Sequence, residues 1–204
     1  MHNEQQQQGY TESNQMGQQQ IHAAHSLIEA HNTIGSVIAT IEQSLLYESH
    51  IQDQRLMQIA QKQRTYLQGL YNTLVDTMKS GQDPAVPTQT YNMMESTNAV
   101  FGMQPGAPKS PADSVQKIND ECVSGYLLSG LKAIATGFTT AAIETTNPVM
   151  RRIFADSVPN IIEMAYEVFL YQNHNHYYEL PQIEQMQAEA LQNGFAPMQG
   201  NTTH

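Results

Sequence analysis

The side chains of this chain that could do chemistry are carboxylates and histidines scattered along helix-like stretches. His31 and Glu48 fall on one apolar seam, Glu42, Glu144 and Glu163 are further candidate ligands, and Glu163 and Glu167 share a helix face. In a four-helix bundle such residues could hold a di-iron or di-manganese centre. That chemistry takes a Glu from each of two helices and a Glu-x-x-His pair from each of the other two, so that carboxylates and imidazoles converge inside the bundle. No Glu-x-x-His occurs here, and Glu48-Ser49-His50 has a spacing of two, which points the side chains apart on a helix. The expected reading is structural: no metal centre, with His31 and Glu48 hydrogen-bonded at the ends or rim of the core.

The other histidines have ordinary explanations. His22, His25 and Glu29 line up on one helix face, suited to adventitious metal at most. His174 and His176 sit at a helix C-terminus, where the dipole favours cations. Cys122 is the single cysteine, so no intrachain disulfide can form; its helical spacing from Ile118 and Gly125 predicts burial, with an intermolecular disulfide in an assembly as the alternative. Arg151-Arg152 reads as a helix-surface ion-pair partner. Gly-x-Ser-x-Gly, a phosphate-cradling glycine loop and Cys-x-x-Cys are all missing, so no enzyme, catalytic residue, cofactor-binding residue or cofactor is expected.

The elements that must position these residues are helices. Apolar positions Leu27, Ile34, Ile38, Ile41 and Leu45 predict helix one over about 21–50. Asp53 is a suitable N-cap for helix two, 53–80, which carries Leu56, Ile59, Leu67, Leu70, Leu74 and Met78 and stops at Gly81. Helix three, 113–145, uses Ile118, Val123, Leu127, Leu131, Ile134, Phe138 and Ala141; Asn147 caps helix four, 148–174, with Pro148 in its first turn and Ile153, Ile161, Ala165 and Val168 on the seam. A shift of 94 residues lays Asp53 on Asn147, Ile59 on Ile153 and Leu74 on Val168, which suggests two equivalent hairpins. Pro159, inside helix four, predicts a kink or a one-turn break and restart at Ser157.

Between the hairpins lies a crossover, 81–112, with prolines at 84, 87, 105, 108 and 111; a short helical piece from Tyr91 to Phe101 would fit between them. About 30 extended residues reach some 100 Å, against roughly 42 Å for a 28-residue helix. The crossover can therefore run the length of a bundle and start helix three at the opposite end from where helix two stopped. The predicted fold is all-α, an antiparallel four-helix bundle, ferritin-like, with one long crossover between helices two and three.

Composition bounds the rest. The chain has 204 residues and a net charge of −10, from nine Lys plus Arg against nineteen Asp plus Glu, which disfavours binding to phosphate backbones, so no nucleic-acid partner is expected. Eight of the first twenty residues are Gln, so 1–20 reads as a disordered arm, and 182–204 as a C-terminal tail, in part helical. The start MHNEQQQQGY lacks the charged and apolar regions of an export signal, and no run approaches the ~18 apolar residues of a membrane span. A chain made in the cytoplasm without a membrane span is expected.

The run from Asp120 to Pro181 resembles the spore coat protein F family of endospore-forming Firmicutes. The likeness rests on an acidic start to helix three, Leu128 followed by Lys132, Glu144 before Asn147-Pro148 and an arginine, and an apolar helix ending in Tyr177-Tyr178 before proline. It covers about 113–181, and the 21–80 hairpin is similar to the N-terminal half of longer members. The resemblance implies a ferritin-like helical fold, synthesis in the mother-cell cytoplasm and a place in the spore coat, with other coat proteins or further copies of the chain as partners. It implies no catalytic residues. A structural assembly role is thus expected, with a ferritin-like metal or redox protein as the alternative. Tyr177, Tyr178, the arm glutamines and Lys79 or Lys109 are the candidates for assembly contacts.

Overall fold

The computed structural model describes the backbone of residues 4–94 and 98–197, and side chains from residue 24 onward within those bounds. Among the described residues the chain is all-helical: α1 (Glu4–Glu48), α2 (Gln54–Ser80), α3 (Asp120–Glu144), α4 (Pro148–His174) and a short α5 (Gln185–Gln192). Local chemistry explains the boundaries. Asp53 accepts the N–H of Arg55 (2.8 Å) to start α2, and Gly81, at φ +68°, ends it by donating its N–H to Thr77 O (2.7 Å). Asn147 Oδ1 accepts from both Val149 and Met150 (2.9 and 3.0 Å), with Pro148 in the first turn. The equivalent caps expected at Asp53 and Asn147 are both present.

Contacts between elements fix their directions. The N–H groups of Gln52 and Asp53 donate to the Asp120 carboxylate (2.9 and 3.2 Å), so α2 and α3 begin at the same end and run parallel. At the opposite end Asn147 Nδ2 donates to Gly81 O (3.4 Å), and α4 returns until the Tyr171 hydroxyl donates to Asp53 (2.9 Å). α1 runs with α4: Ser26 accepts the N–H of Thr146 (3.0 Å) at the 81/147 end, and Glu48 pairs with Arg64 of α2 near the 53/120 end. The packing of these four helices is compatible with the expected four-helix bundle. Because α2 and α3 are consecutive yet parallel, the crossover must travel the full length between them, and it does.

The core lies between α1, α2, α3 and α4, where Phe138 and Phe154 meet edge-on at 5.3 Å and Val37, Leu56, Ile59, Leu74, Leu131, Ile134 and Ile161 are fully buried. Each such side chain contributes about 1.5–3 kcal/mol. α1 differs from expectation. Its inward face is Ser26, Ala30, Thr33, Ile34, Val37 and Ser44, while Leu27, Ile38 and Leu45 of the predicted seam are exposed. The residue spacing was right for a helix, but the face that packs is rotated toward small side chains, which let α1 approach α3 closely: Gly130 would place a Cβ 3.7 Å from Thr40 Cγ2.

Other boundaries also moved. α3 starts at Asp120, capped by Asn119, with a 3₁₀ turn at Val115–Lys117 before it, instead of near 113. No helical piece forms within 91–94 or 98–101; Tyr91, Met94 and Val100 bond to α4, and Asn92 to α2. α4 is continuous through Pro159, without the break and restart at Ser157, because the Ala155 carbonyl that loses its partner there lies on an exposed face. The Gln-rich stretch read as a disordered arm continues the α1 backbone helix from Glu4, Gln and Glu being good helix formers once a helix is nucleated.

Candidate functional site

The densest polar structure in the described residues is a clasp that holds the crossover in the groove between α2 and α4. α4 supplies one side. Asn160 accepts the Tyr91 N–H (2.8 Å), Glu167 accepts the Met94 N–H (2.5 Å), His174 Nε2 lies 3.1 Å from Asn98 O, and Asn173 both accepts from Val100 N and donates to Val100 O (2.6 and 2.9 Å). Asn160, Glu167 and His174 are seven residues apart, so one stripe of the helix faces the strap. α2 supplies the other side: Lys62 donates to Asn92 O, Tyr66 to Gln89 O (2.9 Å) and Thr73 to Val86 O (3.2 Å). The strap thus runs along α4 and against α2, then bridges Gly102 N to Leu180 O (2.9 Å).

Glu167 is the centre of the clasp. It is fully buried, and three donors converge on its carboxylate: the Tyr91 hydroxyl, the Met94 N–H and Gln63 Nε2 (3.3 Å), while Gln63 also donates to Met164 O (3.0 Å). A carboxylate has acceptor sites for all three, and such bonds compensate its loss of water. Burial, then the bond to Glu167, pushes the Tyr91 phenol far up from its ordinary value; burial alone pushes Tyr66 up to about 12. The Lys62 ammonium stands 4.7 Å from the centre of the Tyr91 ring, and Tyr66 meets that ring edge-on at 5.5 Å. Between the strap and α2 remains an open groove of about 540 Å³, floored by Gly69 and Leu70. Each polar atom of Glu167 is aimed at the strap or at α2, so what this arrangement does chemically is fasten.

A second cluster closes the 53/120 end. Burial, then the bond to Asp53, raises the Tyr171 phenol, and burial with the nearby Asp120, Glu121 and Asp53 raises Tyr177. Lys109 joins the crossover to this end through Glu121 (2.5 Å) and Tyr177 O (2.9 Å).

The candidate ligands do not converge. Glu48 is taken by Arg64 and Glu144 by His25 (3.2 Å). These two pairs sit about 35 Å apart along α1. Glu163 is exposed whereas Glu167 is buried, so the two carboxylates do not share a site, and His31 and Glu42 face solvent. His22 lies outside the described side chains. His176 has positive φ (60°) and stands 3.7 Å from Glu179. Among the described residues no three or more His, Cys, Asp or Glu come together as a metal would require. Cys122, expected to be buried, is half-buried, because it falls in the first turn of α3 at an end of the core. Tyr177 packs on Tyr171, Tyr178 is exposed beside Phe169, and Lys79 is exposed. Sequence reasoning missed the Glu167–Tyr91–Gln63 centre. Its signal was the seven-residue polar repeat Asn160, Glu167, His174 along one side of α4.

Comparison with known proteins places these features. The Coat F domain matches residues 119–182. A protein of Bacillus subtilis (strain 168) named spore coat protein F-like protein YhcQ is 36% identical over 176 residues, which cover 86% of this chain and 81% of that protein. The chain belongs to the spore coat protein F family. No solved structure matches. The Coat F match begins at Asn119, the cap of α3, and ends just past Leu180, where the strap is bridged. The Coat F unit is therefore the α3–α4 hairpin with the α4 side of the clasp, whereas Gln63, Lys62, Tyr66 and the strap itself lie before it. Within the described residues no helix is long and apolar enough to cross a membrane.

Proposed function

We propose that this protein is a non-enzymatic structural component of the bacterial spore coat, made in the mother cell and built into the coat by contacts with other coat proteins or with further copies of itself. The observation that carries the reading is the 36% identity, over most of both chains, to a protein named as spore coat protein F-like. The clasp supports it, since Thr73 of α2 and the buried Glu167 and Asn173 of α4 hold the crossover against the helices. The order of helix directions, with α2 and α3 parallel and joined by a strap, supports a ferritin-like arrangement used without its metal, as does the engagement of Glu48 with Arg64 and of Glu144 with His25. The arm glutamines, Tyr178 and Lys79 are the groups offered for assembly contacts.

Fractionation of spores carrying a tagged chromosomal copy tests the reading. The protein is expected in the coat fraction and absent from the core. Recovery in the core would overturn the coat role, near-stoichiometric iron or manganese in the purified protein would overturn the metal-free part, and unchanged incorporation after deletion of residues 1–20 would remove the arm from assembly.

A further inference from the structure

α1 carries large apolar residues on two faces. It turns Ser26, Ala30, Thr33, Ile34, Val37 and Ser44 inward and leaves five further large apolar side chains outside. Leu27, Ile28, Ile38, Leu45 and Leu46 are between 38% and 71% exposed. They follow one shoulder of the helix for about 30 Å. Singly exposed apolar residues need no explanation, but a continuous stripe of them marks a docking surface. Gly35 lies on this stripe, exposed, with nothing within 4 Å of where a Cβ would stand. A glycine in a helix interior costs about 0.5–1 kcal/mol against alanine. No neighbour among the described residues requires that cost, and the notch it leaves is open to a partner.

The charges on the stripe say what that is. It carries one basic-type residue, His31, and one acidic residue, Glu42, both exposed and neither bonded to any group among the described residues. Lay a second α1 antiparallel on the first, about a two-fold axis at the height midway between Ser36 and Val37. Leu27 then comes opposite Leu46, Ile28 opposite Leu45, His31 opposite Glu42, and Ile38 opposite the Gly35 notch, each twice by symmetry. The register that matches apolar to apolar also pairs the charges. A surface complementary to itself in this way is the signature of an isologous two-fold interface. We infer that α1 is the dimer interface of this protein and that its occupant is the α1 of a second copy, antiparallel.

Sedimentation equilibrium of the full chain tests this. The wild-type protein is expected to dimerise reversibly. Ile28→Glu with Leu45→Glu, at exposed sites, sets two pairs of like charges face to face, one on each side of the axis, and is expected to leave a monomer with unchanged helix content by circular dichroism. Gly35→Leu fills the notch and is expected to weaken the dimer about tenfold or more, a difference of about 1.4 kcal/mol, even though it favours the α1 helix. His31→Glu is expected to weaken it, and His31→Glu with Glu42→Lys to restore it, since the swap rebuilds the pair across the axis. A monomeric wild type, a dimer indifferent to Ile28→Glu/Leu45→Glu, or failure of the charge swap to restore the His31→Glu dimer would each overturn the inference. The spore coat assignment is tested separately: a monomer that still enters the coat removes the dimer and leaves that assignment standing.

Discussion

The phenol of Tyr91, in the crossover, donates to the carboxylate of Glu167, on α4, and so ties together residues 76 positions apart in a buried site. Two helices that must run parallel need a long connection, and this bond is where that connection is made part of the core. Tyr91 is 5% exposed, so the strap contributes a core side chain as well as length.

Removing either partner should expose how much the clasp contributes. Glu167→Ala leaves the Met94 N–H and the Tyr91 hydroxyl without their acceptor, at about 1–3 kcal/mol for each group left unpaired, while Gln63 keeps its bond to Met164 O. Tyr91→Phe removes one donor and should cost about 1–3 kcal/mol. In urea unfolding the double variant should lose less than the sum of the single losses, since both remove the same bond. Strict additivity would mean that the bond adds nothing.

Three backbone sites should separate strained from unstrained positions. Gly69, mid-helix with free space where a Cβ would go, should accept alanine with a gain of about 0.5–1 kcal/mol. Gly81, at φ +68°, should lose about 1–2 kcal/mol on the same change, because the left-handed conformation crowds a Cβ. Asn147→Ala removes the acceptor for two N–H groups and should cost about 1–2 kcal/mol. Melting temperatures of the three variants order them directly, and a stabilised Gly81→Ala would contradict the capping geometry.

Alkaline titration should divide the ten tyrosines into classes. Burial holds the Tyr66 phenol at about 12 in the folded chain against an ordinary value of 10.0, and Tyr91 and Tyr171 higher still. The folded values lie above the unfolded ones, so the unfolded chain releases these protons first. Stability is therefore intact below pH 10 and falls as pH rises through the Tyr66 value. Absorbance at the phenolate band should rise in two phases, the later one coinciding with loss of helical ellipticity, and Tyr66→Phe should reduce the later phase. A single reversible phase near the ordinary value would show the three rings to be solvated.

Much of the architecture was legible before any coordinates. Caps are local chemistry, and Asp53, Gly81 and Asn147-Pro148 mark boundaries that the structure keeps to within a residue. The crossover followed from its prolines and length. What escaped was decided by contacts distant in sequence. The Leu27, Ile38 and Leu45 seam has helical spacing, but spacing cannot say which shoulder of α1 turns inward when both carry apolar residues. Glu163 and Glu167 read alike on a helix, and only the arrival of Tyr91 and Met94 buries one and leaves the other in water. The start of α3 was set too early because Asp113-Ser114 offers a cap as plausible as Asn119, and the choice was made by Asp120 meeting Gln52 and Asp53.

The parallel course of α1 and α4 has a mechanical consequence. The chain joins the packed helices at Ser26, beside the 81/147 end, and leaves them near Leu180, beside the 53/120 end. Tension between its two tails is therefore directed along the helix axes. It loads the seams in shear, where every turn along a helix resists sliding at once, instead of peeling contacts apart one after another. Such a unit carries load along its own length.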